Sequence, residues 1–250
     1  MQRYFLDGQY QGQETVLLSG DNYHHIVNVM RMKPGNDIWV VFNGGEAAKA
    51  TIASLEDHTV KARIIGWEDR ATELPVHVTI ASGLPKGDKW EWVIQKGTEL
   101  GTSQFVPFNA DRSVVKWDEK KSARKLERWK KIAKEAAEQS HRQAVPEMHS
   151  PLSIEQLLVF SEDFHHKIVA YEETAKQGDR SQFARKLSGV KKGEKIIIVF
   201  GPEGGLTERE AELLTDNGFV CCGLGPRILR TETAPLYAMA AISYHFELME

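Results

Sequence analysis

The sequence predicts a two-part α/β protein, with a small β-barrel followed by a larger domain whose helices cover a mostly parallel sheet. Three observations carry that expectation. Short strand patterns, with one helix among them, fill the residues up to position 67. Beyond residue 75, strand and helix patterns alternate, as in the crossover units that build parallel sheets. The most apolar strand, Ile196-Ile197-Ile198-Val199-Phe200, runs straight into a glycine-rich turn and then a helix. In open α/β sheets, ligands sit just beyond such carboxyl strand ends.

In the first part, residues 3–6 and 15–18 read as short strands. Residues 21–32 read as a helix, with Asp21 as its N-cap and Ile26, Val29 and Met30 on one face. Pro34-Gly35 ends it. Residues 37–42 and 47–55 flank Asn43-Gly44-Gly45, a strong hairpin turn, and 59–67 follows as a further strand. The polar stretch 68–75, closed by Pro75, reads as the linker between domains 1–72 and 73–250.

In the second part, strands are predicted at 76–81, 105–108, 167–171, 194–200 and 219–224. Helices are predicted at 88–100 (closed by Gly101), 118–140, 154–160, 179–187, 207–217 and 234–249. The 118–140 helix carries Leu126, Trp129, Ile132, Ala133 and Ala136 on one side. Thr207 with Glu210 forms a capping box, and Thr233 is placed to cap the last helix, with Pro235 in its first turn.

Composition narrows the function classes. Of 250 residues, 41% are hydrophobic and 27% charged, as in an ordinary globular protein. No apolar run approaches the roughly 20 residues that span a bilayer, and the N-terminus lacks the apolar core of a signal peptide, so a cytoplasmic protein is expected. Cys221 and Cys222 are adjacent and are the only cysteines, which offers no disulfide framework. The net charge of −3 argues against a protein that coats nucleic acid with its whole surface. A local stripe remains, because Lys116 to Arg142 holds ten Lys/Arg against five acidic residues. Such a stripe is equally the solvated, ion-paired face of a helix.

Two loops carry the chemistry. The first, Gly201-Pro202-Glu203-Gly204-Gly205-Leu206, brings three glycines to a strand end, so backbone N–H and C=O groups can approach a ligand directly. A tight turn needing positive φ would require only one glycine. The second, Gly223-Leu224-Gly225-Pro226-Arg227-Ile228-Leu229-Arg230-Thr231-Glu232-Thr233-Ala234, converges two arginines, a glutamate and two threonines on a helix N-terminus. An Arg230–Glu232 ion pair would be its purely structural explanation. Dinucleotide binding is disfavoured, because Ile228 stands where G-x-G-x-x-G needs its last glycine, and no G-x-x-x-x-G-K-[ST] exists. The pairs His24-His25 and His165-His166 are adjacent and cannot chelate a metal from one helical face, and no G-x-S-x-G elbow is present. No metal is expected.

At these loops the chain resembles the SPOUT methyltransferases, and within them the RsmE family, which methylates N3 of a uridine in 16S ribosomal RNA. The resemblance covers nearly the whole chain. Arg3-Tyr4-Phe5 and His24-x6-Arg31-x2-Pro34-Gly35-Asn36 resemble that family's PUA-like barrel. Lys86-Gly87-Asp88-Lys89 with Gln95-Lys96-Gly97-Thr98-Glu99-Leu100-Gly101 is similar to the first motif of its catalytic domain, and Ala136-Ala137-Glu138-Gln139-Ser140-x-Arg142 with Pro146 to a further one.

The resemblance implies S-adenosyl-L-methionine as cofactor, a trefoil knot in the C-terminal segment, a homodimer with each active site at the subunit interface, and 16S rRNA, assembled in the 30S subunit, as substrate. Tyr171, Phe200, Gly201, Pro202, Glu203, Gly204, Gly205, Leu206, Leu224, Gly225, Arg227, Ile228, Leu229, Thr233 and Ala234 are then the cofactor-binding residues. Arg230 is expected to stabilise negative charge on the uracil carbonyls. Glu232 would either accept the N3 proton or orient Arg230. Phosphate contacts are expected from Lys121, Arg124, Arg128 and Arg142 in the basic stripe (with Lys120, Lys125 and Lys131 beside them), from Lys86, Lys89, Lys96 and Arg112, and from Arg3, Arg31 and Lys33 on the barrel. The alternatives are a ribosome-assembly factor that keeps the fold without catalysis, and a SPOUT enzyme acting on tRNA.

Overall fold

The structure, a computed structural model, describes residues 1–114, 119–171 and 182–249, without the side chains of 119–121. The chain forms two compact units, one of residues 1–73 with 137–144, the other of 74–136 with 145–250.

The first unit is a five-stranded sheet in the order β1-β3-β4-β5-β2, built from β1 (Arg3–Phe5), β2 (Thr15–Leu18), β3 (Asp37–Val41), β4 (Ala47–Glu56) and β5 (Thr59–Trp67). Only β1 and β3 pair parallel; the rest is antiparallel. The β4–β5 register shifts at Lys49/Ala50 and again at Ile52/Ser54, and such bulges bend and twist a strand. Alternation puts Val16, Leu18, Ile38, Val40, Ala50, Ile52, Val60 and Ala62 into one core, which Ile26 completes.

The helix of this unit, α1 (Gly20–His24), continues as a wider turn over His25–Val29. Asp21 is not its cap. Ser19 holds that position without a side-chain hydrogen bond, and Asp21 lies in the first turn, where its charge faces the positive end of the helix. The helix also stops short of residue 32, because Arg31 turns into the left-handed region at φ 52°.

The stretch 68–75 is not a free polar tether. Arg3 donates to both Glu68 oxygens at 2.6 and 2.7 Å and to the Arg142 carbonyl at 3.1 Å. Arg142 forms a fork with Glu73, which also accepts the Gln143 N–H at 2.9 Å. The Thr72 hydroxyl donates to the His141 carbonyl at 3.0 Å. These bonds tie 68–73 to 137–144, a pairing some 70 residues apart that no local pattern announces.

The second unit is a six-stranded sheet in the order β11-β9-β10-β6-β7-β8, parallel at every pairing. Its strands are β6 (His77–Gly83), β7 (Gln104–Phe108), β8 (Glu147–Met148), β9 (His166–Ala170), β10 (Lys195–Phe200) and β11 (Val220–Cys222). The helices are α2 (Lys89–Glu99), α3 (Glu119–Gln139), α4 (Ile154–Phe160), α5 (Gln182–Leu187), α6 (Glu208–Asp216) and α7 (Thr233–Ser243).

The central strand β10 explains its own composition. Ile196, Ile198 and Phe200 enter a core with Trp90, Trp129, Met239 and Ile242, while Ile197 and Val199 enter another with Leu157 and Leu214. Both faces are covered over residues 196–200, so each of those five positions is apolar. Each buried isoleucine contributes about 1.5–3 kcal/mol.

Differences from the sequence reading are local. The strand predicted at 219–224 is only Val220–Cys222, and β8 has two residues, too few for a periodic signal. Residues 179–181 of the predicted 179–187 helix lie outside the described residues. Thr233 does not cap α7. The backbone is already helical at Glu232, and the N–H groups of Thr233 and Ala234 both bond the Arg230 carbonyl. Among the described residues no helix is long and apolar enough to cross a membrane, and no group of three or more His, Cys, Asp or Glu could hold a metal ion.

Candidate cofactor and catalytic site

The site begins with register. Across the four neighbouring strands β11, β9, β10 and β6, Cys222 pairs with Ala170, Ala170 with Phe200, and Phe200 with Ser82. Four carboxyl ends therefore stand side by side, and the chain leaving three of them walls a cavity of about 760 Å³. Tyr171, Phe200, Gly201, Pro202, Glu203, Gly204, Gly205, Leu206, Ile228, Leu229 and Ala234 line it, with Arg230. Leu224, Gly225 and Arg227 line instead an adjoining recess of about 100 Å³, which Tyr171, Ile228, Leu229 and Ala234 share. Thr233 lines neither.

The first loop is held from every side. Gly205 adopts φ +70°, and its N–H closes a turn on the Pro202 carbonyl at 2.8 Å. A Cβ on Gly201 would stand 2.8 Å from the Leu206 nitrogen and 2.9 Å from the Gly205 carbonyl carbon. Both obstacles are backbone, so only glycine fits. After the loop, Thr207 and Glu210 complete the predicted capping box of α6. Glu210 does more: its buried carboxylate also accepts the Asp111 N–H at 2.9 Å. Arg112 donates to the Gly204 carbonyl at 2.9 Å and the Leu206 carbonyl at 3.4 Å.

The second loop is held less. Its internal bonds are the two N–H groups on the Arg230 carbonyl, and Ile228 is 75% exposed. Arg230 is exposed at the cavity wall and makes no ion pair with Glu232 among the described residues. Glu232 faces Lys89, whose Nζ lies 3.6 Å from Glu232 Oε2 and 2.8 Å from Glu203 Oε1. The structural explanation of Arg230 and Glu232 as each other's partner is thus wrong. Burial pushes the Glu203 carboxyl up, but Lys89 and the backbone N–H groups of Glu203 and Lys86 outweigh it and hold it below the usual range. The bond to Glu203 chiefly raises the Lys89 ammonium, so Lys89 keeps its proton.

The expected phosphate contacts divide. Arg3 and Arg142 are corrected. Both are buried, and both guanidiniums are spent on carboxylates inside the first unit, where a phosphate could reach them only by unpairing those acids. Lys89 and Arg112 belong to the cavity wall. Lys86 is exposed, and its N–H supports Glu203 at 3.1 Å. Lys96 bonds Glu99 at 2.8 Å and lies 5.4 Å over the Trp92 ring. Arg128 bonds Glu91 at 2.6 Å and Arg124 is exposed. Arg31 and Lys33 are exposed on the first unit. The side chain of Lys121 lies outside the described residues.

Sequence reasoning missed the cavity walls Ala170, Glu208 and Thr231, and the outward bond of Glu210. Ala170 is the last residue but one of the strand predicted at 167–171, so its place was available in principle. The Glu210 bond joins positions 99 residues apart and leaves no local signal.

Residues 72–243 match the family model of the RNA methyltransferase domain, and residues 18–65 that of the RNA methyltransferase PUA domain. The chain is 54% identical over 252 residues to ribosomal RNA small subunit methyltransferase E of Bacillus subtilis, covering 100% of this chain and 98% of that protein. The protein of the same name from Synechocystis is 34% identical over 235 residues, covering 92% and 73%. The crystal structure of ribosomal RNA small subunit methyltransferase E from Neisseria gonorrhoeae, bound to S-adenosyl methionine, matches with a TM-score of 0.83 at 31% identity over 97% of both chains. A PUA-like sheet, a parallel α/β domain, a backbone-lined cavity at its strand ends and full-length relatives agree: the chain belongs to the RNA methyltransferase family, in its RsmE branch.

Proposed function

We propose that the chain is an S-adenosylmethionine-dependent methyltransferase acting on N3 of a uridine in 16S ribosomal RNA, with residues 1–72 as an RNA-binding domain and 73–250 as the catalytic one. One observation carries the reading: the glycine-rich loop at 201–206, whose three glycines all line a cavity of about 760 Å³ at the strand ends. That cavity suits a ligand with an apolar ring system and several polar groups. Leu206, Ile228, Leu229 and Ala234 supply apolar wall, and backbone N–H and C=O groups supply hydrogen bonds. When bound, S-adenosylmethionine would supply a methyl group on a sulfonium sulfur for in-line transfer to N3, leaving as a neutral thioether, with Glu232 as the candidate acceptor of the N3 proton.

The protein's task is then positioning, which can contribute roughly 7–11 kcal/mol. The rigid first loop holds the donor. Arg230, exposed at the cavity wall, offsets negative charge on the uracil carbonyls. Glu232 makes no ion pair with Arg230 among the described residues, and its ionic neighbour is Lys89. Of the expected contacts, Arg124, Lys131, Lys86, Arg31 and Lys33 are exposed and suited to phosphates, while Arg128, also exposed, bonds Glu91 at 2.6 Å. The target uridine is flipped out of its stack to reach the cavity. The RsmE resemblance supports the remaining features: a trefoil knot through the C-terminal segment, a homodimer with the site at its interface, and a 30S substrate in the cytoplasm.

The test is labelled methyl transfer to undermethylated 30S subunits, free 16S RNA and tRNA in parallel. Label in 30S subunits, mapped to N3 of one uridine, is the expected result. Label in tRNA alone would replace the substrate. Donor binding by calorimetry without transfer to any RNA would favour an assembly factor.

A further inference from the structure

Lys89 stands at the start of α2, outside both loops, yet it contacts a carboxylate from each. Its Nζ donates to Glu203 Oε1 at 2.8 Å and lies 3.6 Å from Glu232 Oε2. The first distance is a hydrogen bond and the second exceeds one. Glu203 belongs to the cradle. Glu232 directly precedes α7 and follows Arg230 by two residues. Lys89 itself lines the cavity. One ammonium therefore serves two acids unequally. Glu232 Oε2 is enclosed and, among the described residues, accepts no hydrogen bond. An enclosed carboxylate oxygen without a donor is costly, and where native structures keep one it calls for an explanation in function.

We propose that Lys89 is a positioning residue that couples the donor cradle to the Arg230 loop. Glu203 takes the short bond, and so sets how much of the ammonium Glu232 receives and how far the start of α7 is drawn toward α2. A ligand seated on the cradle that shifts Glu203 changes the pull on Glu232 and, through it, the placing of Arg230. Lys86 contributes by steadying Glu203 through its N–H. The inference rests on the methyl-transfer reading, since it concerns how Arg230 is placed for that step.

The experiment is a double-mutant cycle on the full chain, reading donor Kd by calorimetry and turnover at saturating donor and RNA. Glu203→Gln is expected to lower turnover at saturating donor about fivefold or more, although the cradle is then full. The same substitution in a Lys89→Met background is expected to change turnover by less than about twofold, because the link is already cut. Lys89→Arg, which keeps cation and reach, is expected to restore most of the turnover. Thermal unfolding checks that each variant folds, and Lys89→Gln replaces Lys89→Met should the latter fail to. If Glu203→Gln raises donor Kd and leaves saturated turnover intact, or lowers it equally in both backgrounds, the coupling is overturned. If the wild-type chain transfers no methyl group to any RNA, the function falls and the inference with it.

Discussion

Two buried arginines of the first unit and one exposed arginine of the second are used in opposite ways. In the first, Arg3 and Arg142 are buried, each gripping a carboxylate. In the second, Arg230 is exposed at the cavity wall, and the Lys89 network beside it leaves an acid partly unserved among the described residues. Residue type alone would treat all three as candidates for RNA. Engagement separates them: a buried guanidinium held by a carboxylate is architecture, and an exposed one without such a partner is available for a ligand whose charge appears later.

The contrast can be broken from either side. The largest expected effect is on the buried side. Arg3→Ala leaves Glu68 unpaired and should destabilise the first unit by about 3–5 kcal/mol, read as a fall in Tm, with donor Kd unchanged. Arg3→Met with Glu68→Leu should recover most of that loss, because an apolar pair can replace a buried ionic one. A variant with unaltered Tm and a flatter salt dependence of RNA binding would return Arg3 to the RNA surface. Next comes the exposed side. Arg230→Ala should lower kcat by about 10²–10³ with Tm and donor Kd nearly constant; equal losses in kcat and donor affinity would remove its electrostatic role.

The remaining two sharpen the difference between the loops. Gly201→Ala forces a methyl group against backbone and should cost about 1–3 kcal/mol, roughly tenfold in donor Kd, measured by calorimetry. Ile228→Ser, in the exposed second loop, should shift stability by less than about 0.5 kcal/mol. A Tm drop as large as that of Gly201→Ala would mean that the second loop is as tightly held as the first.

Much of this was legible in the sequence because it is locally encoded. Thr59–Trp67 and Ile154–Phe160 match their predicted bounds: the first follows from period-two alternation, the second from helical periodicity, with a Ser153–Gln156 capping box behind it. The two loops were legible because glycine at a strand end has few other uses. Asp21 and Thr233 misled, because a good capping side chain does not fix where the backbone turns helical; Ser19 and Glu232 hold those positions with no side-chain capping bond. The strand order β11-β9-β10-β6 and the Arg3–Glu68, Arg142–Glu73 and Glu210–Asp111 bonds depend on residues far apart in the chain, and no window of sequence contains both partners. Arg3 and Arg142 were misassigned for that reason.

Glu210 caps a helix with one carboxylate and, with the same group, fixes the amide of Asp111. The first turn of α6 and the segment after β7 cannot fray separately without stranding a buried acid. Their amide protons should therefore exchange with solvent as one cooperative unit, at a common opening free energy. The 201–206 segment runs straight into α6 and is bonded by Arg112, the neighbour of Asp111, so the breathing of the donor site should follow the opening of that unit and not the flexibility of its glycines.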